Sequence, residues 1–292
     1  GLITRLKSDS SLRHICGFEA VPSPATFSRR LAEFSRTHEM DQALHGIIRD
    51  HRGGAIVGHV SRDSTAISSR ETPVNRKRDV KEPKTKRRRG RPRKNEVREK
   101  QPPSRLQQQI SQKPGEAIRR LNRCCAWGCK VNSQGNASWW KGYKLHLDVD
   151  DFGIPLTAVV TGANVHDSQA AIPMEKKTCA TVNRLYSLMD SAYDAKGIRS
   201  YIEATGGVAL IDANKRRGDA REPMDPAAAK RFAIRTTVER ANSHLKDWLL
   251  PGKILTKGYE KANYTIMTGV VCLAALKILQ YLVLPSAAAE AA

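Results

Sequence analysis

Hydrophobic and polar residues follow helical spacing near the start of the chain and a strand pattern soon afterwards. Apolar residues recur every three or four positions in 25–34 and 40–49, which predicts two short helices, the first capped by Ser23. The segment 55–67 is apolar and β-branched, so we expect a strand with Asp63 emerging near its end.

The pattern then predicts a hairpin followed by alternating helices and strands. The expected elements are hairpin strands at 140–150 and 156–162, a helix from Asp167 or Ser168 to about Ala180, a strand at 185–190 ending at Asp190, a helix with Asp194 near its start, a strand at 207–212 and a helix at 232–246. Three antiparallel strands followed by helices and strands in alternation is the ribonuclease-H-like topology. We therefore predict an α/β fold, with a ribonuclease-H-like mixed sheet flanked by helices.

Composition changes abruptly inside this predicted domain. Residues 76–100 carry fourteen Lys or Arg against four Asp or Glu, with prolines and no hydrophobic period, so no core can form there. The predicted organisation is an N-terminal helical region at 1–54, which either binds DNA or only packs, a catalytic domain at 55–285 interrupted by a basic flexible insertion at 70–123, and a tail at 286–292.

The centre of the insertion has a sequence suited to DNA. Arg89, Gly90, Arg91 and Pro92 form an extended core with bases on both sides. Such a segment can lie in the narrow minor groove of A·T-rich DNA, and it resembles the AT-hook motif. A generic polybasic linker or a nuclear localisation signal is the alternative interpretation.

The overall charge points to the same partner. Fifty Lys and Arg against 29 Asp and Glu give a formal charge of +21, which favours a polyanion, and nucleic acid before a membrane surface. The long apolar run at 266–284 is interrupted by Lys277 and Gln280 and is typical of a core helix. With no signal peptide recognisable at the start and six scattered cysteines, we expect a cytoplasmic, nucleoid-associated protein with reduced thiols.

The helix expected at 232–246 carries the first candidate chemistry. With about 3.6 residues per turn, Phe232, Arg235, Glu239 and Lys246 fall along one face, so one acid lies between two bases. A solvated row of ion pairs is one interpretation. The other is a site that holds a divalent metal through the acid and an anionic backbone through the bases.

Two upstream acids favour the second interpretation. Asp63 and Asp190 are expected at the ends of strands that lie side by side in the predicted topology, and a late helix can bring Glu239 to them. Carboxylate oxygens suit Mg²⁺, and a pair of such ions activates water or a 3′-hydroxyl and stabilises the leaving oxygen. Arg235 and Lys246 would then hold phosphates of the scissile strand.

Taken together, these residues resemble the DDE transposases of bacterial insertion sequences. The signature Tyr-x2-Arg-x3-Glu-x6-Lys of one large group is present with correct spacing, with Phe232 in place of tyrosine. Similar short motifs are Gly142-Tyr-Lys-Leu-His, Gly153-Ile-Pro, Asn164-Val-His-Asp and Met189-Asp-Ser-Ala-Tyr-Asp, and the resemblance covers about residues 55 to 283 apart from the insertion.

The resemblance implies a metal-dependent enzyme. Asp63, Asp190 and Glu239 would be both the catalytic residues and the ligands of Mg²⁺, for which Mn²⁺ can substitute. The implied reaction is hydrolytic nicking at the ends of a transposon, followed by attack of the freed 3′-hydroxyl on double-stranded target DNA. The implied assembly on DNA is a homo-oligomer.

Two other functions are open at this level. A nuclease of the same fold would use the same three acids without strand transfer. A non-catalytic or truncated transposase would instead act as a DNA-binding regulator through Arg89 to Pro92, and the absence of an initiator Met leaves truncation open.

Overall fold

The helices and strands that the hydrophobic pattern predicts occur in the predicted order, with further elements between them. The computed structural model describes residues 2–73, 102–131, 134–214 and 224–285. Ahead of the sheet lie helices α1 (Leu2–Ser8), α2 (Ser10–Ile15), α3 (Pro24–Phe34) and α4 (Glu39–Arg52). The remaining elements are β1 (Ile56–Ser68), α5 (Arg105–Ser111), α6 (Pro114–Arg119), β2 (Ala126–Val131), β3 (Ala137–Val149), β4 (Pro155–Gly162), α7 (Ser168–Cys179), β5 (Asn183–Met189), α8 (Lys196–Ala204), β6 (Val208–Ile211), α9 (Pro226–Phe232), α10 (Thr236–His244) and α11 (Tyr259–Ile278).

The six described strands form one mixed sheet with β1 at its centre. β1 pairs antiparallel with β3 and parallel with β5, and β6 continues the parallel side. β3 pairs with β4 along the predicted hairpin and, in its first half, with β2. This arrangement confirms the ribonuclease-H-like α/β fold, to which β2 adds a strand that the pattern did not predict.

The position of Asp63 within β1 differs from the prediction. The stretch predicted as a strand, 55–67, nearly coincides with β1, but Asp63 does not lie near its end, because five further residues of the strand follow it, to Ser68. The reason lies in the pairing, because β3 offers a partner to every residue of β1 from Ser61, opposite Val149, to Ser68, opposite Gly142. Asp63 therefore lies inside the strand, where its backbone is fixed by the ladder.

Helices cover both faces of the sheet. α7 packs on β3 and β4, while α10 packs on β1 and β3, and α11 packs on β4. α4 lies against α11 and β4, and its Leu44 and Ile48 belong to the main hydrophobic core. At least this part of the N-terminal helical region is integrated with the sheet, although the boundary at residue 54 stays a prediction.

α11 combines a core position with an apolar composition. Together with the last turns to Val283, it is long and apolar enough by composition to cross a membrane, which for one helix is weak evidence because core helices share these properties. Ile266, Val270 and Leu273 are fully buried in the main core, against α4 and β4. The helix therefore packs as the core helix predicted from this stretch.

The later part of the predicted insertion, from residue 102 onward, is helical. α5 and α6 pack on α7, and the Lys176 ammonium donates to the carbonyl oxygens of Gln109, Ile110 and Gln112 at 2.9, 2.7 and 2.7 Å. Composition indicated a linker here because the helices are short and polar. They are stabilised by contacts with a distant segment, which a local pattern does not contain.

Gly142 provides a direct test of how β3 fits beside β1. Its φ is +150°, and a Cβ there would lie 2.2 Å from the carbonyl oxygen of Ile67. We expect Gly142→Ala to lower the free energy of unfolding by about 2 kcal/mol or more, measured by urea denaturation.

Gly46 is the matched control for this substitution. It lies in α4 with open space around the position of a Cβ, so Gly46→Ala should stabilise the protein by about 0.5–1 kcal/mol. Destabilisation of similar size by both substitutions would contradict the assigned geometry at Gly142.

Candidate active site

Two acids lie side by side in the middle of the sheet. The parallel register of β1 and β5 places Ser61 opposite Leu188, and its continuation by two residues places Asp63 opposite Asp190. Because side chains two residues apart point to the same face of a strand, Asp63 lies on the face of Ser61. The structure thus brings together the first two acids predicted from the sequence.

Burial and mutual repulsion perturb both carboxyl groups. Burial, together with the charge of Asp190, raises the pKa of Asp63 to about 6, against the lowering effects of the Ser64 backbone N–H and of Lys130 and Arg235. Burial also raises the pKa of Asp190, and Asp167 adds to the rise. A pair of carboxylates in this state favours a nearby cation.

Asp167 is a further acid beside this pair. Its carboxylate accepts a hydrogen bond from the Lys144 ammonium at 2.8 Å. Burial opposes ionisation of Asp167, but His146 and Lys144 outweigh burial and hold its pKa below the usual value. Tyr193 is buried nearby, and its pKa is raised by burial and by the charges of Asp167, Asp63 and Asp190.

α10 covers the face of β1 that carries Asp63. The Thr237 hydroxyl donates to the Ser61 hydroxyl at 3.1 Å, and the Asn242 amide nitrogen donates to Asp63 Oδ2 at 3.1 Å. The amide oxygen of Asn242 is buried and lacks a hydrogen-bond partner among the described residues. An uncommitted oxygen acceptor therefore lies next to the acid pair.

Glu239 takes a different position on the same helix. Its carboxylate accepts a hydrogen bond from Arg235 Nη2 at 2.5 Å, and its side chain is 48% exposed. In the parts of the chain that the structure describes, no three residues among His, Cys, Asp and Glu are grouped closely enough to hold a metal ion. Glu239 is therefore paired with Arg235 here and is not clustered with the two aspartates.

The winding of this segment also differs from the single regular helix predicted. α9 ends at Phe232, a 3₁₀ turn spans Ala233–Arg235, α10 follows, and a π turn at Leu245–Leu249 carries Lys246. The stretch has no helix breaker, and the part that is α10 packs on β1 and β3, contacts that a local pattern does not contain. The Lys246 side chain is exposed to solvent.

The matched family agrees with this arrangement. The sequence profile of the family described as Transposase DDE domain matches residues 63–274, which is more than two thirds of the chain. The chain belongs to this family. A search of curated proteins finds no match for this transposase.

The match begins at Asp63 and includes Asp190, Glu239 and Lys246. The match does not include α1 to α4, so the family says nothing about the role of these helices in the transposase. The AT-hook-like residues Arg89, Gly90, Arg91 and Pro92 fall within the matched range but lie outside the described residues.

Sequence reasoning missed three residues near the acid pair of the transposase. Asn242 has a usable signal, because it falls three residues after Glu239 and four before Lys246, on the same helical stripe. Asp167 lies in one of the short motifs, but the local pattern assigned it only a capping role. Lys130 has no signal, since β2 was not predicted and only tertiary folding brings its charge to the acids.

The arrangement has two chemical capacities. The paired aspartates and the Asn242 amide oxygen present hard oxygen donors, which suit a divalent cation. Arg235 and Lys130 are close enough to influence the acids electrostatically and supply positive charge for a phosphate group.

Proposed function

We propose that this transposase nicks DNA at the ends of a transposon and joins the freed 3′-hydroxyl to target DNA, with Asp63, Asp190 and Glu239 as its catalytic carboxylates. The observation that carries the proposal is the register of β1 and β5, which sets two partly buried aspartates against each other. Burying like charges together is costly unless a cation is present.

The residues present fit a divalent metal ion. Asp63 and Asp190 offer carboxylate oxygens, and the buried Asn242 oxygen without a hydrogen-bond partner offers a neutral one. We propose Mg²⁺ as the physiological ion, with Mn²⁺ able to substitute, since both prefer oxygen ligands. When bound, the metal supplies Lewis-acid activation of the attacking oxygen and stabilises the leaving one.

Glu239 joins this site by exchanging its partner. Its ion pair with Arg235 is partly exposed, and such pairs stabilise a protein by about 1 kcal/mol at most. In this pair Arg235 makes a single contact, from Nη2 to Glu239 Oε1, whereas a DNA phosphate can accept two parallel hydrogen bonds from the same guanidinium. Arg235 then holds the scissile strand, and the Glu239 carboxylate is released toward the aspartates.

The other chain residues position the acids and the DNA. Asn242 holds Asp63 by its amide nitrogen, and the backbone N–H of Ala192 donates to Asp190 Oδ1 at 3.0 Å. Lys130, together with Arg235 and Lys246, offers positive charge to the strand. These contacts orient the carboxylates before substrate arrives, which lowers the cost of reaching the transition state.

We propose double-stranded DNA as the partner, both at the transposon ends and at the target. The AT-hook-like Arg89, Gly90, Arg91 and Pro92 would contact A·T-rich DNA in its minor groove. A homo-oligomer would assemble on paired ends, and the protein would act in the cytoplasm in association with the nucleoid. The charge of +21 supports the binding to DNA.

A strand-transfer assay tests the reaction and the role of Glu239. With pre-nicked transposon ends that carry a free 3′-hydroxyl, Mg²⁺ should yield joined products and a chelator should remove them. We expect Glu239→Gln to reduce joining by a factor on the order of 10³, because a metal-binding carboxylate is lost.

The matched control is Glu203→Gln, an exposed acid of α8, which should join DNA at the wild-type rate. Cleavage without joining by the wild-type protein would identify a nuclease of the same fold. DNA binding without cleavage or joining would identify a regulatory DNA-binding protein, and either result contradicts the proposal.

A further inference from the structure

A cavity of about 740 Å³ lies beside the helices that follow the basic segment. Arg119 and Arg120 at the end of α6, Arg123 in the next loop and Arg105 at the start of α5 line it. Glu260 is the one acid that lines this cavity among the described residues. The cavity is therefore strongly positive.

The walls of this cavity are held in place by polar contacts between distant segments. Arg105 donates to the side-chain oxygen of Gln169, and Gln109 donates to the Gln169 backbone oxygen at 2.8 Å. Asn122 donates to the side-chain oxygen of Asn164 at 2.8 Å. Because these contacts exist without a ligand, the arginines are presented on a built surface and not on a free loop.

The arginines are available for an anion. Arg120 pairs only with Glu116 among the described carboxylates, and both side chains are exposed, so this pair is weak. Arg123 lies over the Tyr259 ring at 4.8 Å, which fixes its position beside the cavity. Guanidinium groups in such an array bind phosphate by paired hydrogen bonds.

The lining indicates what kind of phosphate fits. Pockets for small molecules are lined mainly by apolar and aromatic side chains. Here most lining side chains are arginines or the amides Asn122, Asn164 and Gln169. Such a surface suits the backbone of duplex DNA, which presents a row of phosphates while its bases are paired inside the duplex.

The cavity is close to the acid pair in the fold. The turn before α7 and the first residues of that helix provide Asn164 and Gln169 to the cavity. Between these two residues in the sequence lies Asp167, whose charge raises the pKa of Asp190. Lys144 fixes this turn by donating to the Val165 carbonyl oxygen at 2.9 Å. A duplex held at the cavity therefore meets the same turn that borders the acids.

We propose that this arginine cavity, formed by Arg105, Arg119, Arg120 and Arg123, is a second DNA-binding site that grips the phosphate backbone of duplex flanking the reacting strand. The proposal deepens the proposed function of the transposase, but it requires only DNA binding and no cleavage. Its position directly after the segment 76–100, with fourteen Lys or Arg, extends one basic region into the folded domain.

The test compares two pairs of charge deletions in the full chain. Arg119→Gln/Arg120→Gln removes two exposed arginines of the cavity, and Lys253→Gln/Lys257→Gln removes two exposed lysines of the loop before α11. Binding to one duplex of fixed sequence is measured at several salt concentrations. The cavity variant should weaken binding and reduce the slope of log K against log salt by about 2, while the control keeps the wild-type slope.

Equal losses in both variants would overturn the proposal, since only net charge would then matter. A protection experiment on the wild-type protein needs no variant. Phenylglyoxal modifies accessible arginines, and duplex DNA should protect Arg119, Arg120 and Arg123 from it. Unchanged reactivity of these three residues in the complex would also overturn the proposal.

A free nucleotide offers the same phosphate chemistry, so dAMP and inorganic phosphate are tested as separate ligands. If either ligand protects the three arginines from phenylglyoxal at concentrations where duplex DNA does not, the cavity binds a small phosphate compound and the DNA site is rejected. Asp190→Asn separates the proposed reaction from the proposed DNA site at the cavity. This variant should bind duplex DNA with the wild-type slope of log K against log salt. If the wild-type protein shows no strand transfer, the proposed reaction is rejected, whereas the binding of duplex DNA at the cavity is not affected by that result.

Discussion

Asp190→Asn is expected to reduce metal-dependent DNA cleavage by a factor on the order of 10³ or more, as for loss of one member of a catalytic set. The asparagine keeps an oxygen that can accept the Ala192 backbone N–H, which the aspartate accepts at 3.0 Å. The turn after β5 should therefore fold normally. What is lost is the negative charge opposite Asp63, and with it a ligand of the proposed metal ion.

Two measurements check this expectation, namely cleavage of labelled transposon-end DNA in Mg²⁺ and affinity for the same DNA in a chelator. Cleavage should fall and affinity should stay within about twofold, because DNA affinity comes mainly from phosphate contacts. Asp50→Asn, an exposed acid paired with Arg49 on α4, is the control and should cleave normally. Wild-type cleavage by Asp190→Asn would remove Asp190 from the catalytic set.

Arg62→Ala is expected to destabilise the fold by about 3–5 kcal/mol, as for breaking a buried ion pair from one side. Arg62 is fully buried and donates to both carboxylate oxygens of Asp148, at 2.6 and 2.7 Å. It also donates to Glu175 at 2.9 Å, and Arg184 donates to the same carboxylate at 2.5 Å. Without Arg62, Asp148 keeps a buried charge that pairs with no other cation among the described residues.

The measurement is the free energy of unfolding in urea. Arg30→Ala serves as the control, because Arg30 and Glu33 form an exposed pair in α3, and its loss should cost less than about 1 kcal/mol. Similar small losses in both variants would mean that the buried cluster is not a major source of stability. Since Arg62 precedes Asp63 in β1, the cluster also holds the strand that carries the first acid.

Much of the fold was predictable because its periodic patterns are local. The hairpin β3–β4, helix α7, and strand β5 with Asp190 directly after it follow from alternation, turn residues and caps that depend on near neighbours. The family was recognisable from the spacing of Arg235, Glu239 and Lys246, since a fixed spacing on one segment survives any tertiary arrangement. The role of these residues in catalysis stays a prediction.

Other features depend on contacts between distant segments. β1 extends beyond Asp63 because β3 pairs with it, and α5 and α6 form because they rest on α7. Glu239 forms an ion pair with Arg235, whereas the spacing of the residues leaves open whether Glu239 meets Arg235 or the two aspartates. Asn242 becomes important only because α10 lies over β1.

The sequence by itself determined the order of the predicted helices and strands, the family, and two aspartates, Asp63 within β1 and Asp190 directly after β5. Only the tertiary structure decided which of the acids meet, which residues surround them and where the arginine cavity forms. The physical reason is range: propensity and periodicity act over a few residues, whereas the register of β1 against β5 joins positions more than a hundred residues apart. Charges gathered across such distances change one another's pKa, and no local window of sequence contains that information.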